Sequence, residues 1–166
     1  MARANLNVST EILEAFTSAQ QNTDLTGARY LKVVIEGETL ILRSIGVREG
    51  SSERDFNELV DEALDVSQAA FVVFCVTDSV GDVPKWLLMA WVPEGCTVRE
   101  KMLYSSSRED LKKAIGAGHF ISEYAANTRE DANWADVSSY LTREKIDPSL
   151  YSEKERLIKE EKVLIF

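Results

Sequence analysis

Ala69-Ala70-Phe71-Val72-Val73-Phe74-Cys75-Val76 and Trp86-Leu87-Leu88-Met89-Ala90-Trp91-Val92 are apolar nearly throughout. A strand with one wet face alternates polar with apolar residues, so runs without alternation are expected to be buried on both faces. The short connector Asp78–Lys85, broken by Gly81 and Pro84, predicts that the two strands lie antiparallel at the centre of a sheet. Pro93 ends the second strand. Thr97 is placed to cap a long helix reaching about Ile115, which Gly116 and Gly118 stop. His119–Tyr124 reads as one more short strand, and the passage strand, long helix, strand implies a parallel crossover.

Toward the N-terminus, Tyr30–Ile35 and Leu40–Arg43 flank the Gly-bearing turn Glu36-Gly37-Glu38-Thr39, a hairpin signal. Ser9 is a candidate N-cap for a helix with Ile12, Ala15, Phe16 and Ala19 on one face, and Gln20–Gly27 is a polar break. Phe56, Leu59, Val60, Ala63 and Leu64 recur at i, i+3, i+4, i+7 and i+8. The opposite face of that helix carries Glu53, Asp55, Glu58, Asp61, Glu62 and Asp65, read as solvated. Thr128 and Asp131 have capping-box spacing ahead of a last helix with Ala132, Val137 and Leu141. The expected fold is α/β (α+β mixed): a central mixed sheet of five or six strands with helices on both faces.

One domain over residues 1–141 accounts for this pattern. Thr142–Phe166 reads as a charged linker with a nascent helix; its Val163-Leu164-Ile165-Phe166 suits either a docked segment or the start of something further. The chain has 166 residues and a net charge of −9, which argues against non-specific nucleic-acid binding and a broadly basic membrane surface. Charge is uneven. Residues 36–65 hold three basic and nine acidic residues, whereas residues 97–115 hold five basic (Arg99, Lys101, Arg108, Lys112, Lys113) and three acidic. Such a basic island on an acidic chain can be aimed at an acidic partner or be a solvated helix face. No apolar run approaches the ~20 residues of a membrane span. The start Met1-Ala2-Arg3-Ala4-Asn5 lacks a signal peptide's apolar core, and two cysteines make no disulfide framework, so a reducing cytosol is expected.

Enzymatic motifs are nearly lacking. Neither GxGxxG nor GxxxxGK[ST] occurs. A Cys–His pair could be drawn from Cys96 and the one histidine, His119, because nucleophilic catalysis needs a base beside the thiol. Neither lies in a nucleophile motif, and zinc asks for more Cys and His. No catalytic residue, metal or cofactor is expected. Cys75 reads as core. Trp86 and Trp91, five apart on one strand, are expected on opposite sheet faces; Trp134 carries no assignment.

The basic island is more specific than its charge. Val98-Arg99-Glu100-Lys101-Met102-Leu103-Tyr104-Ser105-Ser106-Ser107-Arg108-Glu109-Asp110-Leu111-Lys112-Lys113 resembles the long helix of the actin-depolymerising factor homology (ADF/cofilin) domain. In that family V-R-x-K-M-x-Y-[AS]-[SAT]-[ST]-[KR]-x-x-L-[KR]-[KR] follows a strand ending F/A-W-x-P, and Ala90-Trp91-Val92-Pro93 stands in that place here. The element order agrees over residues 5–141. Lys101-Met102-Leu103-Tyr104, Gly116-Ala117-Gly118-His119 and the short Asp78–Lys85 loop resemble the N-terminal domain of the family's twinfilin branch.

The resemblance implies a non-enzymatic module that binds monomeric actin, ADP-actin foremost, and terminal subunits at filament barbed ends, working as a monomer in the cytoplasm at the actin cytoskeleton. It implies a site of Arg99, Lys101, Met102, Arg108, Lys112 and Lys113, joined by Arg3, Asn5 and Leu6. On spacing alone Met102 also reads as core. Arg108, Lys112 and Lys113 are candidates for phosphoinositide headgroups, and Ser105 and Ser106 are expected to let the helix approach the sheet closely or bend. Cofilins are switched off by phosphorylation of a serine at the extreme N-terminus; here the first serine, Ser9, is already assigned as a helix cap. Cofilins also hold a second filament subunit with a longer basic loop, whereas Asp78–Lys85 carries net −1, so filament decoration and severing stand as the alternative. A small cytosolic enzyme using Cys96 or His119 stands as the second.

Overall fold

The computed structural model describes residues 6–21, 27–78 and 81–145. The calls on Arg3, Asn5 and the tail from residue 146 lie outside them. Ser9 caps the first helix as expected, its Oγ accepting from the Glu11 amide at 3.2 Å. The elements are β1 (Asn7–Val8), α1 (Thr10–Gln20), β2 (Ala28–Glu36), β3 (Thr39–Val47), α2 (Ser52–Glu62), β4 (Ala70–Cys75), β5 (Trp86–Trp91), α3 (Val98–Ile115), β6 (Phe120–Ala126) and α4 (Trp134–Lys145). They form one six-stranded mixed sheet in the order β1-β3-β2-β4-β5-β6. The β2–β3 hairpin turns through Gly37 at φ +63°, a left-handed conformation glycine adopts without penalty.

β4 and β5 pair antiparallel at the centre, and every residue of both is buried. Alternate side chains feed two cores. Phe71, Val73, Cys75, Trp86, Leu88 and Ala90 pack under α1 and α3 with Ile12, Phe16, Leu111 and Ile115. Val72, Phe74, Leu87, Met89 and Trp91 pack under α2 and α4 with Phe56, Leu59, Val60 and Val137. Trp86 and Trp91 therefore face opposite ways. Trp86 Nε1 donates to Gln20 Oε1 at 2.5 Å, and Trp91 Nε1 to the Asp65 carbonyl at 2.8 Å, so neither buried indole is left unpaired. Trp134 packs on Phe56 and Phe74, at centroid separations of 5.5 and 6.2 Å. β5 and β6 are parallel, joined by α3 as a crossover.

Four expectations are corrected. Asp55 lies in the core, because the buried Arg29 reaches it: Nε donates to Asp55 Oδ2 at 2.8 Å, with side chains 2% and 4% exposed. The other Arg29 donors go to the carbonyls of Cys75 (2.8 Å), Thr77 (3.1 Å) and Gly50 (3.0 Å) and to Asp78 Oδ1 (3.1 Å). Thr128 closes a turn, accepting from the Asp131 amide, but the last helix starts later: Asn133 caps it, its Oδ1 accepting from the Asp136 amide at 2.9 Å. That helix runs to Lys145. His119 ends a 3-10 turn, Ala117–His119, instead of opening the strand. Finally, Ser107 is the serine of α3 that meets the core, 1% exposed, while Ser105 and Ser106 face outward. Ser107 falls between Tyr104 and Leu111 on the buried i, i+3, i+7 stripe.

α2 has no basic residue in its own last turn. Lys32 Nζ supplies one from β2, bonding the Ala63 carbonyl at 2.5 Å. Arg129 supplies another, donating to the Val60 and Leu64 carbonyls at 2.7 and 3.0 Å. Both place positive charge where the helix dipole is negative.

Candidate functional site

α3 is fixed at both ends and along one face, which leaves its outer face free. Thr97 Oγ1 accepts from the Glu100 amide at 3.1 Å. Lys112 and Lys113 occupy the last turn, and Gly116, at φ +114°, turns the chain out of the helix. Tyr104, Ser107, Leu111 and Ile115 are buried against the sheet. The Tyr104 ring packs on Phe71 at 5.2 Å, and its hydroxyl accepts from the Ile35 amide at 2.8 Å, pinning the helix to β2. Burial raises the Tyr104 phenol above its ordinary pKa, keeping it neutral.

The outer face carries Val98, Arg99, Met102, Ser105, Ser106, Glu109 and Lys113, and each is exposed. Val98 and Met102, one turn apart, are 72% and 69% exposed. Lys101 is half-buried on the flank. No ion pair holds Arg99, Lys101 or Lys113 among the described residues. Two large apolar side chains bracketed by unpaired cations are what a partner surface presents.

The other predicted residues are arranged differently. Arg108 and Lys112 converge on Glu123 of β6: Arg108 Nε lies 3.1 Å from Oε1, and Lys112 Nζ 2.6 Å from Oε2. The Glu123 hydrogen bond raises the Lys112 pKa. These two cations therefore hold α3 to the edge strand, while Lys113 is exposed and outside that pairing. Leu6 is buried in the core under α1 and α3. Cys96 precedes α3 and His119 follows it, roughly 27 Å apart along an 18-residue helix. Their pairing in one site is therefore not formed, and burial raises the Cys96 thiol further from the reactive thiolate. Cys75 is fully buried. Among the described residues no group of three or more His, Cys, Asp or Glu is placed to hold a metal, and no helix is long and apolar enough to cross a membrane.

A single long helix, capped and pinned so that its outer face stays open, on a six-stranded mixed sheet with helices on both faces, defines a domain of the ADF/cofilin class. The chain belongs to the family described as cofilin/tropomyosin-type actin-binding protein, whose sequence profile matches residues 5–142. It is 33% identical over 129 residues to a twinfilin of Anopheles gambiae, covering 78% of this chain and 36% of that one, so it spans about a third of that relative's length. Among solved structures it is similar to Eh twinfilin, at a TM-score of 0.72 and 22% identity, covering 83% of this chain and 99% of that one. Plasmodium berghei actin depolymerization factor 2 gives a TM-score of 0.69 at 17% identity, covering 86% and 99%. Human coactosin-like protein gives 0.67 at 14%, covering 92% and 97%.

Proposed function

We propose that this domain binds monomeric actin, ADP-actin in preference, through the outer face of α3, lowering the pool of free monomers in the cytoplasm, and that it also engages terminal subunits at barbed ends. The observation that carries this reading is the exposed pair Val98 and Met102 beside Arg99 and Lys101, which form no ion pair among the described residues, on a chain of net charge −9. An apolar knob bracketed by positive charge suits an apolar cleft with an acidic rim. There Arg99 offers a two-pronged fork and Lys101 a point charge. Arg3 and Asn5, which precede β1, are proposed to extend the contact. An anionic lipid headgroup would have to compete with Glu123 for Arg108 and Lys112.

Monomer binding is favoured over filament decoration by what surrounds the second contact that decoration needs. Asp78, at the start of the β4–β5 loop, is committed to Arg29 and to the N-terminus of α2, where it accepts from the amide and hydroxyl of Ser52. Arg129, the cation ahead of α4, is committed to the α2 carbonyls. The test is titration of labelled ADP- and ATP-actin monomers with the purified chain, beside co-sedimentation with preformed filaments. Saturable monomer binding with little pelleting is expected; stoichiometric pelleting would favour the filament side-binder instead.

A further inference from the structure

β1 pairs only with Thr39 and Leu40 of β3, so among the described residues the outer edge of β3 from Ile41 to Val47 has no strand beside it. A free edge offers a row of unpaired amides and carbonyls, which proteins commonly guard with a charge or a proline. Ser44-Ile45-Gly46-Val47 has neither. Ile45 and Val47 stand there 50% and 64% exposed. Ile45 pairs with Leu31 and Val47 with Ala28, both packed under α1 and α3, so Ile45 and Val47 share that sheet face. Gly46, between them, faces the other way, where the Tyr30 ring lies over it. Charge sits at the two ends of this stretch. Arg43 falls at a bulge, and its ion pair with Glu36 is exposed at both partners, so it is readily exchanged. Glu49 lies beside Glu58 and Glu62 of α2, and Glu49 and Glu62 form no ion pair among the described residues.

The stretch is complementary to itself. Laid antiparallel on a second copy with Gly46 opposite Gly46, it sets Ile45 opposite Val47 twice and Arg43 opposite Glu49 twice. Opposite side chains in such pairs are close enough to pack or attract. Centred on Ile45 instead, the pairing sets Arg43 against Val47; centred on Val47, it sets Ile45 against Glu49. Residue chemistry thus selects one register. We infer that the edge of β3 is a docking site for a second copy of this chain, joining the two six-stranded sheets across a two-fold axis at Gly46. Few residues meet, and two chains of net charge −9 repel, so the dimer is weak and the dilute chain is the monomer that the family resemblance implies. The inference does not depend on actin binding. Tyr104 of α3 is held at Ile35, which pairs with Leu40, and Gly46 lies six residues further along β3, about 20 Å away. The dimer would therefore carry two uncovered α3 ridges.

The full chain is followed by sedimentation equilibrium from about 10 μM to 1 mM, the range of weak association. The expected result is a rise in mass toward twice that of the chain. Arg43→Glu and Glu49→Arg should each weaken association about 10-fold or more, and the double reversal should restore it to within about 3-fold. Val47→Lys should abolish it. All three positions are exposed, so melting temperatures should stay within about 2 °C of the parent. Mixing Ile45→Cys and Val47→Cys chains under mild oxidation should give a covalent dimer that neither gives alone, because like positions lie on the diagonal, about 7–8 Å apart, and the native cysteines are buried. A parent that stays monomeric at about 1 mM overturns the inference, as does a dimer indifferent to Val47→Lys or to the charge reversals. If the parent is monomeric but a chain ended after Lys145 dimerises, the chain's own tail occupies the edge, and the second copy is overturned as its occupant.

Discussion

Replacing Arg29 with Met tests how the fold is held at the end of the sheet away from the α3 ridge proposed to bind actin. Five hydrogen bonds from one guanidinium join β2 to the carbonyls of Cys75, Thr77 and Gly50 and to the carboxylates of Asp55 and Asp78. Met matches the aliphatic stem but removes every donor, leaving Asp55 charged in a site 4% exposed. The remaining bonds to Asp55, from the Glu49 and Gly50 amides and the Arg54 guanidinium, soften the loss. Breaking a buried pair from one side costs about 3–5 kcal/mol, a large part of the ~5–15 kcal/mol that domains possess. At ~2–4 °C per kcal/mol for a chain of this size, the melting temperature should fall by roughly 6–20 °C. Urea unfolding followed by circular dichroism would show the same loss as a lower midpoint at unchanged slope. At temperatures where the variant is folded, actin binding should match the parent. A loss below about 1 kcal/mol would refute the reasoning, because the network would then be ornamental.

Further outcomes follow from other contacts. Burial alone would raise the Asp78 carboxyl, but the Ser52 hydroxyl and amide, with Arg29, outweigh it and hold the pKa below the ordinary carboxylate value. Its contribution to stability is therefore present above the unfolded pKa of ~3.9 and lost as pH falls through the lower folded value. Asp78→Asn should lower the urea midpoint at pH 7 by more than at pH 3, and a pH-independent gap would contradict this. A Cβ at Gly46 would meet the Tyr30 ring at 1.9 Å, so Gly46→Val should cost about 1–3 kcal/mol by thermal melting. Ending the chain after Lys145 should leave the melting temperature within about 3 °C and actin binding unchanged, because the profile match ends at residue 142.

The central strands and the ridge were legible in the sequence for different reasons. Runs such as Phe71–Cys75 and Leu87–Ala90 have no polar face to misread, so pattern alone places them in the middle of the sheet. The α3 surface was legible through a motif, since spacing alone left Met102 divided between core and surface. What was hidden depends on partners distant in the chain. Arg29 follows a polar break and looks like a solvated charge; only the fold brings Asp55, 26 residues on, against it. The helical wheel puts Asp55 on the acidic face of α2, and no local pattern signals that this one carboxylate turns inward. Arg129 and Lys32 are likewise recruited across the fold to the end of another helix. Ser107 could have been found: Tyr104, Leu111 and Ile115 fix the buried stripe, and Ser107 lies on it.

The account stands on the charged and apolar ridge of α3, and the double substitution Arg99→Ala/Lys101→Ala tests it most directly. Arg99 is exposed, Lys101 is half-buried, and neither is ion-paired among the described residues, so melting temperature and far-UV spectrum should hardly change. Titration of labelled ADP-actin monomers should show binding weaker by about 2 kcal/mol or more, roughly 30-fold. A folded double variant that binds actin monomers as tightly as the parent would contradict the assignment of this surface.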